Sequence, residues 1–409
     1  MTAGYHLLDA EAHWQDANYT SCGGVIGGIE DCGMGALSAD EMARYSRQVA
    51  MPEFGAVAQA RLRRSRVLLI GAGGLGSPAA QYLAAAGVGT LGIVDPDVVE
   101  LSNLHRQLLH ATPDVGRAKV ESARDRLRAL NPHVRVEVIR DRFSAANAVD
   151  LARGWDVVVD GCDNFPTRYA SNDACVALGI PNVYGAVWRF EGQVAVFAPS
   201  LGGPCYRCVN PRAPEPGTVP GCAEAGVLGV LPGLVGTLQA LEAIKLLAGI
   251  GRPLVGRLLR VDGLEMKFRE FALRVDPRCE RCSEGRRGLP VVAEGEACPV
   301  AGGAPQEITV RELARWRAGG RAHLLLDVRE AWELDMARLD PCLHIPLGQL
   351  AGWLGEIPRD VPVCVMCHAG VRSVAAARLL AGAGFAYALS VRGGIAAWSA
   401  EVDASVPAY

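Results

Sequence analysis

A chain of 409 residues, half of them hydrophobic, holds enough material for two or three domains with large buried cores. Its 41 basic and 44 acidic residues leave a net charge of -3, and no Lys/Arg cluster or aromatic-basic interleave marks a nucleic-acid or membrane surface. That excludes both as expected partners and favours small molecules and proteins.

The start, MTAGYHLLDAEAHW, lacks a basic region followed by an apolar core, and the apolar stretch 225–250 is broken by Pro232, Gln239, Glu242 and Lys245, so a soluble cytoplasmic protein is expected. Thirteen cysteines, an odd count that includes two CxxC pairs, suit metal and thiol chemistry in a reducing compartment better than a disulfide framework. Residues 1–36 are glycine-rich without helical or strand periodicity and read as a mobile tail. Ser38 then opens S-A-D-E, a capping box with Glu41, for a helix carrying RYSRQ at Arg44 to Gln48, and a second helical segment covers 56–64.

The organising stretch is VLLIGAGGLGSPAAQYLAAAGVGTLGIVD, from Val67 to Asp95, which reads as strand, glycine turn, helix and strand. Gly71, Gly73, Gly74 and Gly76 let backbone N–H groups approach a phosphate. Ser77 is expected to cap the helix, Pro78 to take its first position and Gly87 to end it in a left-handed conformation. Asp95, closing the second strand, is placed to hold a ribose hydroxyl. The pattern predicts a nucleotide site and leaves NAD, FAD and ATP open.

Next comes a polar loop, SNLHRQ (Ser102, Asn103, Leu104, His105, Arg106, Gln107), then a turn at Thr112 to Gly116 and a helix with Lys119 in its first turn. A third strand at Val134 to Ile139, a helix over 145–152 and the strand WDVVVD lead to Gly161-Cys162-Asp163-Asn164. This order implies a parallel sheet, whose ligands bind beyond the carboxyl ends of the strands, where Gly71 to Gly76, Asp95 and Asp163 fall. Arg168 to Leu178 reads as helix, followed by strands at 182–189 and 193–199, a Pro/Gly-rich loop to Cys222 and an apolar helix around Gly236 to Leu247. The expected organisation is a Rossmann-like, mostly parallel α/β domain over 37–284 and a linker over 285–304. A second small α/β domain follows over 305–409, with strands at Leu324 to Val328 and 361–366 and helices at 373–383 and 395–400.

Three groups carry chemistry. The pairs Cys205/Cys208 and Cys279/Cys282 supply four thiolates, which suits a closed structural zinc site. Arg47, Arg106 and Lys119 lie in short polar motifs around the glycine turn, where they are expected to neutralise triphosphate oxygens, with Asp163 available for Mg²⁺; an NAD enzyme needs no such set. In VPVCVMCHAGVRS, Cys367 ends an apolar strand before a short loop and a helix starting near Ser373. Loop N–H groups, the helix N-terminus and Arg372 are expected to lower its thiol pKa and to cradle a thiolate or persulfide. Cys364 is expected inside the sheet, and Cys162 and Cys175 read as small buried hydrophobes.

RYSRQ, GAGGLG, Asp95, SNLHRQ, Lys119, GCDN and the paired CxxC, in that order, resemble the MoeB/ThiF branch of ubiquitin-activating-type adenylating enzymes over about 37–283. The resemblance implies that MgATP adenylates the C-terminal glycine of a ubiquitin-like sulfur carrier ending in Gly-Gly (MoaD/ThiS-like), releasing pyrophosphate. It places Gly74, Asp95, Ser102 to Arg106, Lys119, Asp163 and Asn164 around ATP, and has Arg47 reach into the partner subunit of a homodimer. It also gives Cys222 a covalent link to the activated carrier. LLLDVRE, HIPLGQL, CHAGVRS and RGGIAAW resemble a rhodanese domain, so the whole resembles the MoeZ-like fusions. Cys367 would carry a persulfide from thiosulfate or a desulfurase and turn the carrier's carboxylate into a thiocarboxylate. The rivals are an NAD(P)-dependent oxidoreductase, marked by nicotinamide binding without ATP, and a non-catalytic binder of ubiquitin-like proteins, which would lose the ATP-facing residues. For the last domain a phosphatase is the rival, but no general-acid aspartate marks one.

Overall fold

The computed structural model describes residues 37–214, 226–283, 291 and 306–407. The segment 1–36, Cys222 and most of 285–304 lie outside the described residues. The chain divides into two compact units, whose elements fall on either side of residue 295.

In the first unit, α1 (Ala39–Val49) starts at the expected capping box, with Ser38 Oγ accepting the Glu41 N–H and Glu41 accepting the Ser38 N–H. After α2 (Gly55–Arg64) come β1 (Arg66–Ile70), α3 (Gly76–Ala86) and β2 (Thr90–Val94). Gly87 ends α3 at φ +85°. Ser77 does not cap α3 and Pro78 does not open it: the helix begins two residues earlier than expected, with Leu75 at the N-cap, Gly76 first and Pro78 third, and the Ser77 hydroxyl lies 3.5 Å from the Ala72 carbonyl. The glycine turn is so tight that the helix has already formed when the chain reaches Ser77.

The chain continues through α4 (Lys119–Leu130), β3 (Arg135–Ile139), α5 (Ala148–Ala152), β4 (Val157–Asp160), α6 (Phe165–Leu178), β5 (Asn182–Trp188) and β6 (Glu191–Phe197). It ends with α7 (Tyr206–Val209), α8 (Val230–Ala248), β7 (Arg257–Asp262) and β8 (Lys267–Ala272). The eight strands run in the order β3-β2-β1-β4-β5-β6-β7-β8, parallel from β3 to β5 and antiparallel thereafter. The β7/β8 pair carries no strand signal strong enough to read in sequence, because β8 is charged and almost wholly exposed.

Residues of β1 alternate between two cores, as the two-residue period of a strand requires. Val67 and Leu69 pack with α3, α4 and α8, whereas Leu68 and Ile70 pack with α5 and α6. Helix α8 is long and apolar enough to cross a membrane, yet its polar residues are tied into the sheet. Fully buried Gln239 donates to the carbonyls of Asp160 and Val183, and Glu242 accepts the Leu254 N–H. It is therefore the core helix under the sheet.

The second unit comprises β9 (Gln306–Thr309), α9 (Val310–Ala318), β10 (Leu324–Asp327), α10 (Ala331–Met336), β11 (Leu343–His344), β12 (Val363–Met366), α11 (Val371–Gly382), β13 (Ala388–Arg392) and α12 (Gly394–Glu401). Its sheet is parallel throughout, in the order β11-β10-β12-β13-β9. Alternation along β12 sends Cys364 and Met366 into one core and Val363, Val365 and Cys367 into the other. Cys364 and Cys367 thus face opposite sides of the sheet and are no CxxC pair.

Candidate active sites

Beyond the carboxyl ends of β1, β2, β3 and β4 opens one cleft. Gly71, Gly73 and Gly74 line it after β1, Asp95 after β2, Arg142 and Phe143 after β3, and Gly161 to Asn164 after β4; Arg106, Gln107 and Lys119 complete the wall. Gly71 holds φ +93°, which suits only glycine here, and its N–H bonds to the Val94 carbonyl. Gly76 is not in the lining: a Cβ there would stand 1.9 Å from the Gly71 carbonyl, so its smallness serves the packing of α3 against the turn.

Asp95 is 5% exposed and holds the turn in shape, since its carboxylate accepts the N–H groups of Ala72 at 2.8 Å and Asp97 at 2.9 Å. Burial pushes its carboxyl pKa up, against the pull of Lys119. Lys119 reaches in from the start of α4 and donates to Asp97 at 3.0 Å. Behind the turn, buried His110 touches the Ala72 carbonyl at 3.0 Å and the Ser122 hydroxyl at 2.9 Å, and burial lowers its pKa.

Of the SNLHRQ loop, only Arg106 and Gln107 reach the cleft. Ser102, Asn103, Leu104 and His105 build the short turn that carries them, with Asn103 accepting the Glu100 N–H. Arg106 donates to the Ser102 carbonyl at 3.0 Å and lies 2.7 Å from His105 Nε2, whose pKa is lowered by burial and by this guanidinium. The Oε1 of Gln107, a residue of the cleft wall, is buried without a hydrogen-bond partner among the described residues.

Asp163 is exposed at the rim, and Asn164 caps α6 by accepting the Thr167 N–H at 3.0 Å. Arg47 sits on the exposed side of α1 and is not part of its own chain's cleft. Sequence reasoning missed Arg142, a lining residue whose guanidinium has no hydrogen bond or ion pair among the described residues. It belongs to no motif; only the position of β3 in the sheet brings it here.

The sulfurs of Cys205, Cys208, Cys279 and Cys282 lie within 4.8 Å of one another, with closest approaches of 3.9, 3.6 and 3.4 Å. A tetrahedral Zn–S bond of about 2.3 Å requires sulfurs about 3.8 Å apart, so the cluster is compatible with zinc. By contrast Cys162 and Cys175 are buried, with thiols that burial pushes well up, which makes them inert packing residues.

In the second unit, Cys367 follows β12 and is 1% exposed. Its Sγ accepts the Gly370 N–H at 3.1 Å and lies 3.5 Å from Ser373 Oγ at the start of α11. Gly370 takes φ +94°, and a Cβ there would stand 2.8 Å from the Gly393 nitrogen. The RGGI turn holds the loop from outside, as Ile395 N–H donates to the Cys367 carbonyl and Ala396 N–H to that of His368. Arg372 departs from the expected sulfur cradle: its guanidinium is bidentate on Glu333 of α10, at 2.6 and 2.7 Å, and this acid offsets its charge. Arg329, fully buried on Asp327, fixes α10 by donating to the Glu333 and Ala337 carbonyls. Cys364 is fully buried and its thiol is pushed up to about 12.

Comparison with known proteins agrees with both halves. Residues 45–282 match the ThiF family and residues 309–401 the rhodanese-like domain. The chain is 45% identical over 382 residues to a probable adenylyltransferase/sulfurtransferase MoeZ of Mycobacterium tuberculosis, covering 91% of this chain and 97% of that protein. It is 44% identical to the adenylyltransferase and sulfurtransferase MOCS3 of Sus scrofa, covering 91% and 89% respectively. A sulfur carrier protein adenylyltransferase of Thermus thermophilus is 55% identical over 249 residues, 60% of this chain and 92% of that one. Among solved structures, E. coli MccB shares the fold at a TM-score of 0.54 and 22% identity, over 61% of this chain and 74% of that one. The chain therefore belongs to the ThiF family and, through its C-terminal rhodanese-like domain, stands among the adenylyltransferase/sulfurtransferase enzymes.

Proposed function

We propose that the chain uses MgATP to adenylate the C-terminal glycine of a ubiquitin-like sulfur carrier of the MoaD/ThiS kind and then converts that carboxylate to a thiocarboxylate. The observation that carries this reading is the convergence of glycine turn, Asp95, Arg106, Lys119 and Asp163 on one cleft, in a chain that also presents Cys367 in a loop whose Gly370 N–H donates to its sulfur.

Adenylation brings two anions together, because a carboxylate oxygen attacks the α-phosphorus of ATP and expels pyrophosphate. Arg106, Lys119 and Arg142 lower that repulsion, Gly71, Gly73 and Gly74 leave room for phosphate oxygens, Asp95 holds the ribose, and Asp163 holds Mg²⁺. Ser102 to His105 and Asn164 act by shaping the loop and the helix start that carry these groups, and Gln107 offers its unpartnered carbonyl oxygen to the ligand. Arg47, exposed on α1, completes the site of a second subunit in a homodimer.

In the second step, the terminal sulfur of a Cys367 persulfide, loaded from thiosulfate or a desulfurase, attacks the acyl adenylate and expels AMP. A thiol then cleaves the resulting acyl disulfide, supplying two electrons and leaving sulfur on the carrier. In the route through Cys222, its thiolate takes the acyl group from the adenylate as a thioester, expelling AMP, and the persulfide then attacks that thioester and expels the Cys222 thiolate. The four-cysteine cluster holds structural Zn²⁺. Catalytic bodies at 37–284 and 305–409, joined by 285–304, and a cytoplasmic location with its reducing thiol pool complete the proposal.

The test is carrier-dependent ATP–pyrophosphate exchange, with mass spectrometry of the carrier. Cys367→Ala is expected to keep exchange within about twofold and to abolish the sulfur-for-oxygen mass change. No exchange with any Gly-Gly-ended carrier defeats the adenylation reading, and sulfur transfer by Cys367→Ala defeats the role of Cys367.

A further inference from the structure

Strand β13 is buried from Ala388 to Val391 and apolar there except for Ser390, which is 0% exposed. It runs parallel to β12 with Ser390 opposite Val365, two residues before Cys367. Val365, Cys367 and Ala388 share one core, so the two-residue period of a strand turns Ser390 to the same face as Cys367. There its hydroxyl lies 2.9 Å from that of Ser373, the equally buried serine in the first turn of α11. Ser373 Oγ lies in turn 2.9 Å from the Gly370 carbonyl and 3.5 Å from Cys367 Sγ.

Counting hydrogens gives these contacts a direction, because each hydroxyl has one hydrogen to donate and two lone pairs to accept with. Ser373 is the only hydrogen-bond partner of the Ser390 hydroxyl among the described residues. Were Ser390 to accept from it, the Ser390 hydrogen would be left unpaired in a site shut off from water, at a cost. Ser390 therefore donates, and the single Ser373 hydrogen remains for the other two neighbours. While Cys367 is a thiol, its S–H donates to Ser373 Oγ and the Ser373 hydrogen goes to the Gly370 carbonyl. A thiolate has no hydrogen to give, and takes the one on Ser373. The other donor to the sulfur is the Gly370 N–H at 3.1 Å, since Arg372 is bound to Glu333.

Resting on the role proposed for Cys367, we infer that Ser390 is a positioning residue for its sulfur: by donating to Ser373 Oγ, it directs the Ser373 hydrogen to the thiolate. The thiolate is needed twice in one turnover. Its electron pair attacks the outer sulfur of thiosulfate, whose S–S bond breaks to release sulfite. When cyanide then takes that sulfur as thiocyanate, the pair of the Sγ–S bond returns to Sγ. Ser390 itself touches no reactant.

The experiment uses the full-length chain and reads thiosulfate–cyanide turnover together with the rate at which iodoacetamide alkylates Cys367, followed on its peptide by mass spectrometry. Ser373→Ala removes a hydrogen bond to a charged sulfur and is expected to lower both about 10- to 100-fold. Ser390→Ala is expected to lower both about 3- to 10-fold in the wild-type chain, but by less than about twofold in Ser373→Ala, because it acts through Ser373. Ser390→Thr, which keeps the hydroxyl, is expected to stay within about twofold of wild type. Losses that multiply in the double variant, no loss in Ser390→Ala, or a loss in Ser390→Thr as large as in Ser390→Ala would assign Ser390 to packing alone and overturn the inference. If Ser390→Ala does not fold, Ser390→Cys, of similar shape with only a weak S–H donor, replaces it in the cycle. Turnover retained by Cys367→Ala defeats the role of Cys367 itself, a result that no Ser390 variant can give.

Discussion

On the function proposed, the cleft of the first unit and the Cys367 loop of the second both stabilise anions, with different donors. In the cleft the work falls to side-chain cations on long stems: Lys119 steadied by Asp97, Arg106 by the Ser102 carbonyl, and Arg142 with no partner among the described residues. In the loop it falls to a backbone N–H at 3.1 Å from sulfur, while the nearby cation, Arg372, is bound to Glu333. A cleft that must admit and release a nucleotide needs donors that can move, whereas a loop holding one sulfur needs donors that cannot. The cleft should therefore lose function in graded steps and the loop nearly all at once.

Lys119→Ala gives the largest expected effect in the cleft. It removes a buried cation from the attack on the α-phosphorus and leaves Asp97 unpaired, so exchange should fall about 10²- to 10³-fold while thiosulfate turnover at Cys367 is unchanged. Equal loss of both activities would show that the two sites are not separate devices. Gly370→Ala tests the loop in the same way. A side chain at φ +94° costs about 1–2 kcal/mol in backbone strain, and its Cβ also meets the Gly393 nitrogen at 2.8 Å. Thiosulfate turnover should fall about 10²-fold with exchange intact, a loss of about 2.7 kcal/mol in barrier terms; a loss below threefold would refute a backbone-built cradle. Arg142→Ala should raise the KM for ATP about tenfold with little change in kcat, because an exposed, unsupported guanidinium contributes binding shared by ground and transition states.

Which of these residues could be read from the sequence follows from how local each signal is. The Ser38 capping box, the left-handed Gly87 and the four metal-spaced cysteines depend on neighbours a few positions apart, and the structure contains each. Asp95 and Asp163 come together because residues at strand ends of a parallel sheet share one edge, and Lys119 joins them from the first turn of α4. Arg142 was invisible, since nothing in Asp-Arg-Phe differs from an ordinary surface loop until β3 takes its place at the sheet's end. Glu333 likewise stands 39 residues from Arg372, beyond the reach of any spacing rule. Ser77 misled because capping propensity was read without the close approach of Gly76 to Gly71, a contact that exists only in the folded turn.

The smallest expected effect separates the two regions by pH. His110 links the glycine turn to α4, and since the Ala72 carbonyl can only accept, Nε2 carries the proton and Nδ1 accepts from Ser122. Burial holds its folded pKa below the unfolded value of about 6.5, so the stability it contributes is complete above about pH 6.5 and is lost as pH falls through the lower folded value. A second proton on the ring removes the acceptor at Nδ1 and unsettles the turn whose Ala72 N–H rests on Asp95. ATP affinity should therefore weaken several-fold between pH 7.5 and pH 5.5, while thiosulfate turnover, which uses no part of this turn, does not follow the same curve. His110→Gln should bind ATP more weakly at pH 7.5 and show a flatter profile below pH 6.5. Asp95, whose pKa burial raises, also gains a proton on acidification, so any slope left in His110→Gln belongs to it. An unchanged slope in His110→Gln would assign the whole pH response to Asp95 and remove His110 from the control of the cleft.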